Sequence, residues 1–137
     1  MANERPQVLV ACSQRVRDTY LPPAEIERLE SFADWKWFAG EGGGIYHTNS
    51  NAEDAARLRA EIGAWDALVI SDGCPTIDDS MLQAAPRLRL IGELEGDRFA
   101  TRIDLDAAWK RGVRTVDDTN GSSYAVAEWA LGLDLVC

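Results

Sequence analysis

The chain has 137 residues, 46% of them hydrophobic, and 23 acidic against 14 basic side chains give a formal net charge of −9. That length suits a single domain with its own core, and the acidic balance excludes the clustered Lys and Arg that grip nucleic-acid phosphates or an anionic membrane surface. No apolar run approaches the ~20 residues of a membrane span, and the opening MANERPQ holds no apolar signal region, so the cytoplasm is the expected location. Gln7 to Cys12 (QVLVAC) is an apolar, β-branched run of the kind a strand covered on both faces shows. A polar loop from Ser13 to Tyr20 follows, then Pro22-Pro23 at a helix start, with Ile26, Leu29 and Phe32 spaced as one stripe facing a core.

Asp34 to Gly40 (DWKWFAG) alternates aromatic and polar residues through Trp35, Lys36 and Trp37, a pattern that fits a strand at a sheet edge. The stretch EGGGIYHTNSN reads as a loop, after which Ser50 or Asn51 can cap a helix whose apolar face is Ala52, Ala55, Ala56, Leu58 and Ile62, ended by Gly63. Ala67 to Ile70 is a third short apolar run, stopped by SDG. Ile77, Met81, Leu82 and Ala85 predict a helix closed before Pro86. Leu88 to Gly92 is the next strand, and Val113 to Val116 the last. Between them Ile103 to Gly112 predicts a helix, with acids early, Lys110 and Arg111 late, and glycine at its end.

Five strands alternating with helices imply an open, doubly wound parallel sheet of α/β class. In such a sheet ligands lie beyond the carboxyl ends of the strands, which directs attention to 13–20, to Ser71–Thr76 with Asp72 and Gly73, and to Glu93–Arg102 with 117–123 beside it. Cys12, Cys74 and Cys137 match neither a disulfide framework nor a metal-ligand pattern. Cys12 and Cys74 read as small buried hydrophobes, and no metal site is expected. His47, the single histidine, sits in the glycine-rich loop and reads as a surface residue. The GEGGG run lacks the spacing of a phosphate-binding turn.

The stretch ALVISDG, then IDDSMLQAAPRLRLIGELEGDRFATRIDLDAAWKRGVRTVDDTNGSSYAVAEWALGLDL, resembles the substrate domain of the NAD-dependent D-isomer-specific 2-hydroxyacid dehydrogenases. The resemblance covers Ala67 to Val136 well and the first third only in its βαβ pattern. It implies a flavodoxin-like five-stranded sheet of order 2-1-3-4-5 over residues 1–122, and an inter-domain helix over 123–137 that leads into a dinucleotide-binding domain. In the family a glycine-rich turn receives the substrate carboxylate on backbone N–H groups. Here that segment reads GELEGDRFATRID, keeping Gly96 but carrying Asp97, Arg98 and Phe99 where smaller residues are usual. Arg98 either grips the carboxylate with its planar fork or pairs with Glu93, Glu95 or Asp97 on the loop. DTNGSSYAVAEWAL resembles the family's turn near the nicotinamide, placing Asn120, Ser122 and Ser123 next to the cofactor, with either serine also able to cap the helix.

The resemblance implies NAD or NADP as cofactor and a small 2-hydroxy or 2-oxo acid as substrate. It also implies that the catalytic Arg, Glu and His belong to a segment beyond this chain, so no catalytic residue is assigned and neither turnover nor tight cofactor binding is expected of this chain alone. The last helix is apolar nearly all round, with Val126, Trp129, Leu133 and Val136 on one stripe, which predicts a homodimer through it. A self-standing flavodoxin-like module that binds a ligand or a protein, without dehydrogenase chemistry, is the alternative.

Overall fold

A computed structural model describes residues 5–44, 46–96, 99–119, 121 and 123–136, with only the backbone described for 99, 100 and 134–136. Strand β1 (Gln7–Cys12) lies between β2 (Asp34–Ala39) and β3 (Ala67–Ile70), and β4 (Leu90–Glu93) and β5 (Arg114–Val116) extend the sheet, giving the order β2-β1-β3-β4-β5. Every pairing is parallel; Val10 stands opposite Trp37 on one side and Val69 on the other. This is the expected sheet, with β2 at its edge.

The central strand explains its own sequence. Leu9 and Ala11 point into one core, while Val8, Val10 and Cys12 point into the other, so a strand with period-two alternation must be apolar at every step. The first core is closed by Leu58 of α3 (Ala52–Glu61), by Met81 and Leu82 of α4 (Asp79–Gln83), and by Ala107 and Ala108 of α6 (Leu105–Lys110). The second is closed by Val16 of α1 (Gln14–Tyr20), with Leu29 of α2 (Pro23–Glu30) packed at its margin. Cys12 and Cys74 are buried free thiols.

Side-chain caps set the helix starts. Ser13 caps α1, Asn51 accepts from the N–H groups of Glu53 and Asp54 at the start of α3, and Asp78 and Asp104 cap α4 and α6. At the end of α6, Gly112 takes a positive φ of 75°, the left-handed geometry of a helix C-terminus.

Three expectations need correction. The segment from Ser13 to Tyr20 is not a loop but carries α1; its single buried residue, Val16, gives no hydrophobic period to read. Helix α2 stops at Glu30, so Phe32 leaves the stripe and stands 56% exposed, while Ala33 takes the buried place. Ile77 is extended rather than helical, because it bridges Ile103, with its N–H donating to the Arg102 carbonyl and its own carbonyl accepting from Asp104 N–H. A short helix, α5 (Phe99–Arg102), precedes that bridge.

Removing the fully buried Leu9 side chain by Leu9→Ala is expected to cost about 2–5 kcal/mol, and Asn51→Ala about 1 kcal/mol through the lost cap. Urea unfolding checks both; a cost for Leu9→Ala no larger than that of Asn51→Ala would contradict the two-core arrangement.

Candidate functional site

The carboxyl ends of β1, β3 and β4 come together where the strand order reverses, between β1 and β3, and the space beyond them is where a ligand crevice lies in such sheets. Its first wall is a turn. Cys74 N–H donates to the Ser71 carbonyl, and Gly73 sits within that turn at φ 96°. A side chain at Gly73 would overlap the Ser13 backbone and crowd the Gly40 carbonyl, so glycine is needed for both conformation and space. Ser13 N–H donates to the Asp72 carbonyl at 2.7 Å, locking the turn to the start of α1.

Arg15, in the first turn of α1, projects an exposed guanidinium over this junction and donates one N–H to Asp72 Oδ2 at 3.0 Å. The bond to Asp72 holds Arg15 still more firmly protonated than an ordinary arginine, and Glu95 adds to the effect through space. Asp72 is nearly buried, and its Oδ1, like the Ser71 hydroxyl, has no hydrogen-bond partner among the described residues. An arginine positioned by one carboxylate oxygen keeps the rest of its planar fork for an anion in the crevice.

Beneath the crevice lies a buried ion-pair centre. Arg102 is 1% exposed, and it donates to Glu93 Oε1 at 3.0 Å, to Glu95 Oε2 at 3.1 Å and to the Gly44 carbonyl at 3.1 Å. The three contacts tie α5 to the end of β4 and to the glycine-rich loop. Burial outweighs the attraction of Arg102 and lifts the Glu93 carboxyl to about 7. Burial likewise pushes Cys74 up, and the neighbouring Glu93 adds to it.

The glycine-rich loop is fastened from the other side by Asn49. Its amide donates to Gly73 O at 2.9 Å and to Asp54 Oδ2 at 2.8 Å. Burial works against the Asp54 charge, but hydrogen bonds from Glu41 N–H and Asn49 and the charge of Arg57 together hold its carboxyl below the usual range. The GEGGG segment is therefore a clasp over the strand ends, held by Asp54 and Arg102, and its geometry is not that of a phosphate cradle between a strand and a helix.

Of the sequence-predicted residues, Asp72 and Gly73 stand at the crevice. Gly96 borders it, packed so closely on the β5 loop that a Cβ would come within 2.6 Å of Thr119 Cα. Ser123, the first residue of α7 (Ser123–Val136), donates its hydroxyl to the Thr119 carbonyl at 3.4 Å. Asp97, Arg98, Asn120 and Ser122 lie outside the described residues, as does the Val136 side chain. Arg102 pairs with both Glu93 and Glu95, and the pairing considered for Arg98 lies outside the described residues. Val126, Trp129 and Leu133 are exposed, and His47 is an exposed loop residue. Sequence reading missed Arg15, Glu93 and Arg102 as a set. An arginine two residues past the Ser13 cap was the available signal for the first; a lone Glu in a strand was the signal for the second.

No protein-family model matches the chain. In sequence it is related to D-3-phosphoglycerate dehydrogenases: it is 32% identical to that of Mycobacterium leprae (strain TN) over 80 residues, 58% of this chain and 15% of the relative. In fold it is similar to a phosphoglycerate oxidoreductase from Rhizobium etli, with a TM-score of 0.67 and 19% identity over 96% of this chain and 36% of the other. It is also similar to an acyclic imino acid reductase in complex with NADPH and D-Arg, with a TM-score of 0.65 and 17% identity over 92% of this chain and 35% of that one. The chain thus spans under a fifth of this sequence relative and about a third of the two structural neighbours.

The raised Glu93 value sets a pH dependence. Below the ordinary 4.5 the group is protonated in both folded and unfolded chains and carries no penalty; as pH rises towards about 7 only the folded chain must keep the proton, so stability falls across that window. Glu93→Gln, a neutral mimic, is expected to match the native chain near pH 5 and to gain on it steadily up to pH 8 in urea unfolding. Parallel pH curves for the two would contradict the assignment.

Proposed function

We propose that this chain, a sequence relative of D-3-phosphoglycerate dehydrogenases, is the substrate domain of an NAD- or NADP-dependent oxidoreductase acting on the CH–OH group of 2-hydroxy acids. The observation that carries the reading is the position of Arg15 at the strand-order switch. It is held by Asp72 over a crevice formed by the Ser71–Cys74 turn and the loop through Gly96.

In this reading Arg15 receives the substrate carboxylate by two parallel charge-assisted hydrogen bonds. Asp72 is a positioning residue: its Oδ2 fixes the guanidinium. Gly73 and Gly96 let backbone pack directly on Ser13, Gly40 and Thr119, which fixes the turn and the loop beside Arg15. Residues 1–122 form this domain. The segment 123–137 starts the connection towards a dinucleotide-binding domain, with Asn120, Ser122 and Ser123 on the cofactor side.

The described residues do not fit the cofactor itself. A dinucleotide needs a glycine-rich turn whose backbone N–H groups face the pyrophosphate at a helix start, whereas the GEGGG segment is bound down through its Gly44 carbonyl to Arg102 and through its Glu41 N–H to Asp54. Hydride chemistry therefore belongs to another part of the enzyme, and this domain contributes binding and orientation of the acid. It also contributes an apolar helix, α7, through which two copies associate.

Calorimetric titration with pyruvate, oxamate and 3-phosphoglycerate is expected to give weak, saturable binding of at least one acid, reduced tenfold or more by Arg15→Ala. The same chain is expected to bind NADH only weakly and to leave absorbance at 340 nm unchanged in the presence of 2-oxo acids. Tight NADH binding with turnover would overturn the reading, as would acid binding indifferent to Arg15.

A further inference from the structure

One guanidinium serves two carboxyl groups in the buried layer under the crevice. Arg102 donates through Nη1 to Glu93 and through Nη2 to Glu95, so its single positive charge balances only one carboxylate. The Glu93 side chain is wholly withdrawn from water and that of Glu95 is 12% exposed, which makes a second negative charge there costly. The hydrogen bonds indicate which group gives way. Both donors that reach Glu93, the Arg102 guanidinium at 3.0 Å and the Glu95 N–H at 3.3 Å, converge on Oε1, and Oε2 meets none among the described residues. A carboxylate accepts equally at both oxygens, whereas a carboxylic acid carries one accepting oxygen and one hydroxyl. Glu93 has the second pattern.

Among the described residues, the titratable and charged groups that face Glu93 are Arg102 from α5, Glu95 from the loop after β4 and Cys74 from the turn after β3. Burial holds the Cys74 thiol neutral, and the Gly44 carbonyl takes a further share of Arg102. Glu95 joins this layer to the one above. Its Oε2 meets Arg102 from one side, and its charge acts through space on Arg15, which is held over the crevice by Asp72. Charges therefore alternate along a row: Asp72, Arg15, Glu95, Arg102 and Glu93. An anion paired with Arg15 cancels the positive charge nearest Glu95 and makes the potential in the buried layer more negative. A more negative potential favours the protonated form of Glu93.

We propose that Glu93 is a positioning residue whose proton is coupled to the binding of an acid at Arg15, each stabilising the other. This deepens the reading of Arg15 as the partner of the substrate carboxylate and rests on it. With Glu93 neutral, Arg102 gives its charge to Glu95 and holds the loop after β4 in place. With Glu93 ionised, the guanidinium is divided between two carboxylates, and Glu95 competes with the acid for Arg15. The coupling is reciprocal: the factor by which the bound acid strengthens the proton is the factor by which the proton strengthens the acid. Burial lifts Glu93 to about 7, so affinity is highest where the proton is kept and falls as pH rises through neutrality. The carboxyl of a small acid is ionised throughout that range and contributes no proton of its own. Cancelling a unit charge roughly 10 Å away in a medium of intermediate dielectric changes the affinity about threefold.

Calorimetric titration of the native chain with pyruvate and with oxamate, at pH 7 in two buffers of different ionisation enthalpy, is expected to show uptake of a fraction of a proton per acid bound. The Kd is expected to rise about threefold between pH 6 and pH 8. Glu93→Gln, neutral at every pH, is expected to bind the acid equally at pH 6 and pH 8 and to take up no proton. His47, exposed in the glycine-rich loop, is intact in that variant, so loss of the effect assigns it to Glu93. A native chain that takes up no proton would overturn the coupling whatever the variant does. Equal proton uptake and equal pH slopes in the native chain and Glu93→Gln would overturn it too, leaving the Arg15 site standing. Neither acid binding, or binding unchanged by Arg15→Ala, would remove the carboxylate seat and the coupling with it.

Discussion

A guanidinium withdrawn from water needs carboxylates and carbonyls arranged around it, and the arrangement around Arg102 holds the ligand-facing end of this fold together. Its contacts reach Glu93 at the end of β4, Glu95 in the following loop and the Gly44 carbonyl in the glycine-rich clasp. Removing the Glu95 carboxylate would leave an uncompensated buried charge, which costs several times what an exposed ion pair contributes. The Ile77–Ile103 bridge beside it fixes the backbone of Arg102 as well. These links hold the loop after β4 and the glycine-rich clasp in register; the Ser71–Cys74 turn is joined to the clasp through Asn49 and to the start of α1 through Ser13.

The crevice is thus built in two layers. Below, charges are paired or protonated: Arg102 with Glu95, and Glu93 with its carboxyl value raised to about 7. Above, Arg15 is exposed and oriented by a single contact to Asp72. A deep layer of paired charge, in which Glu93 Oε2 alone lacks a partner among the described residues, carries a surface layer with an oriented donor fork, as the proposed orientation of a small acid requires.

The strands were legible in the sequence because each obeys the period its place in the sheet requires. Val8 to Cys12 (VLVAC) is apolar throughout since β1 is buried on both faces, and the alternation of Trp35, Lys36 and Trp37 belongs to an edge strand. The caps were only partly legible: Asn51 was readable as one, while Ser13 was passed over because α1 buries only Val16. Ile77 was misread because its conformation is set by pairing with Ile103, a partner 26 positions away in sequence, which no local pattern encodes. The site was legible where backbone geometry demanded glycine, at Gly73 and Gly96. It was illegible at Arg15, Glu93 and Arg102, whose roles arise only when three separate loops meet. The rule that ligands lie beyond the carboxyl ends of parallel strands directed attention to 13–20, 71–76 and 93–102, and the geometry added Arg15.

Backbone amide mapping by nuclear magnetic resonance during titration with a 2-oxo acid tests the account most directly. Perturbations concentrated at Ser13 to Arg15, Asp72 and Gly73, and Glu95 and Gly96 are the predicted result. Perturbations confined to the glycine-rich clasp or to β5, with the Arg15 region silent, would contradict it.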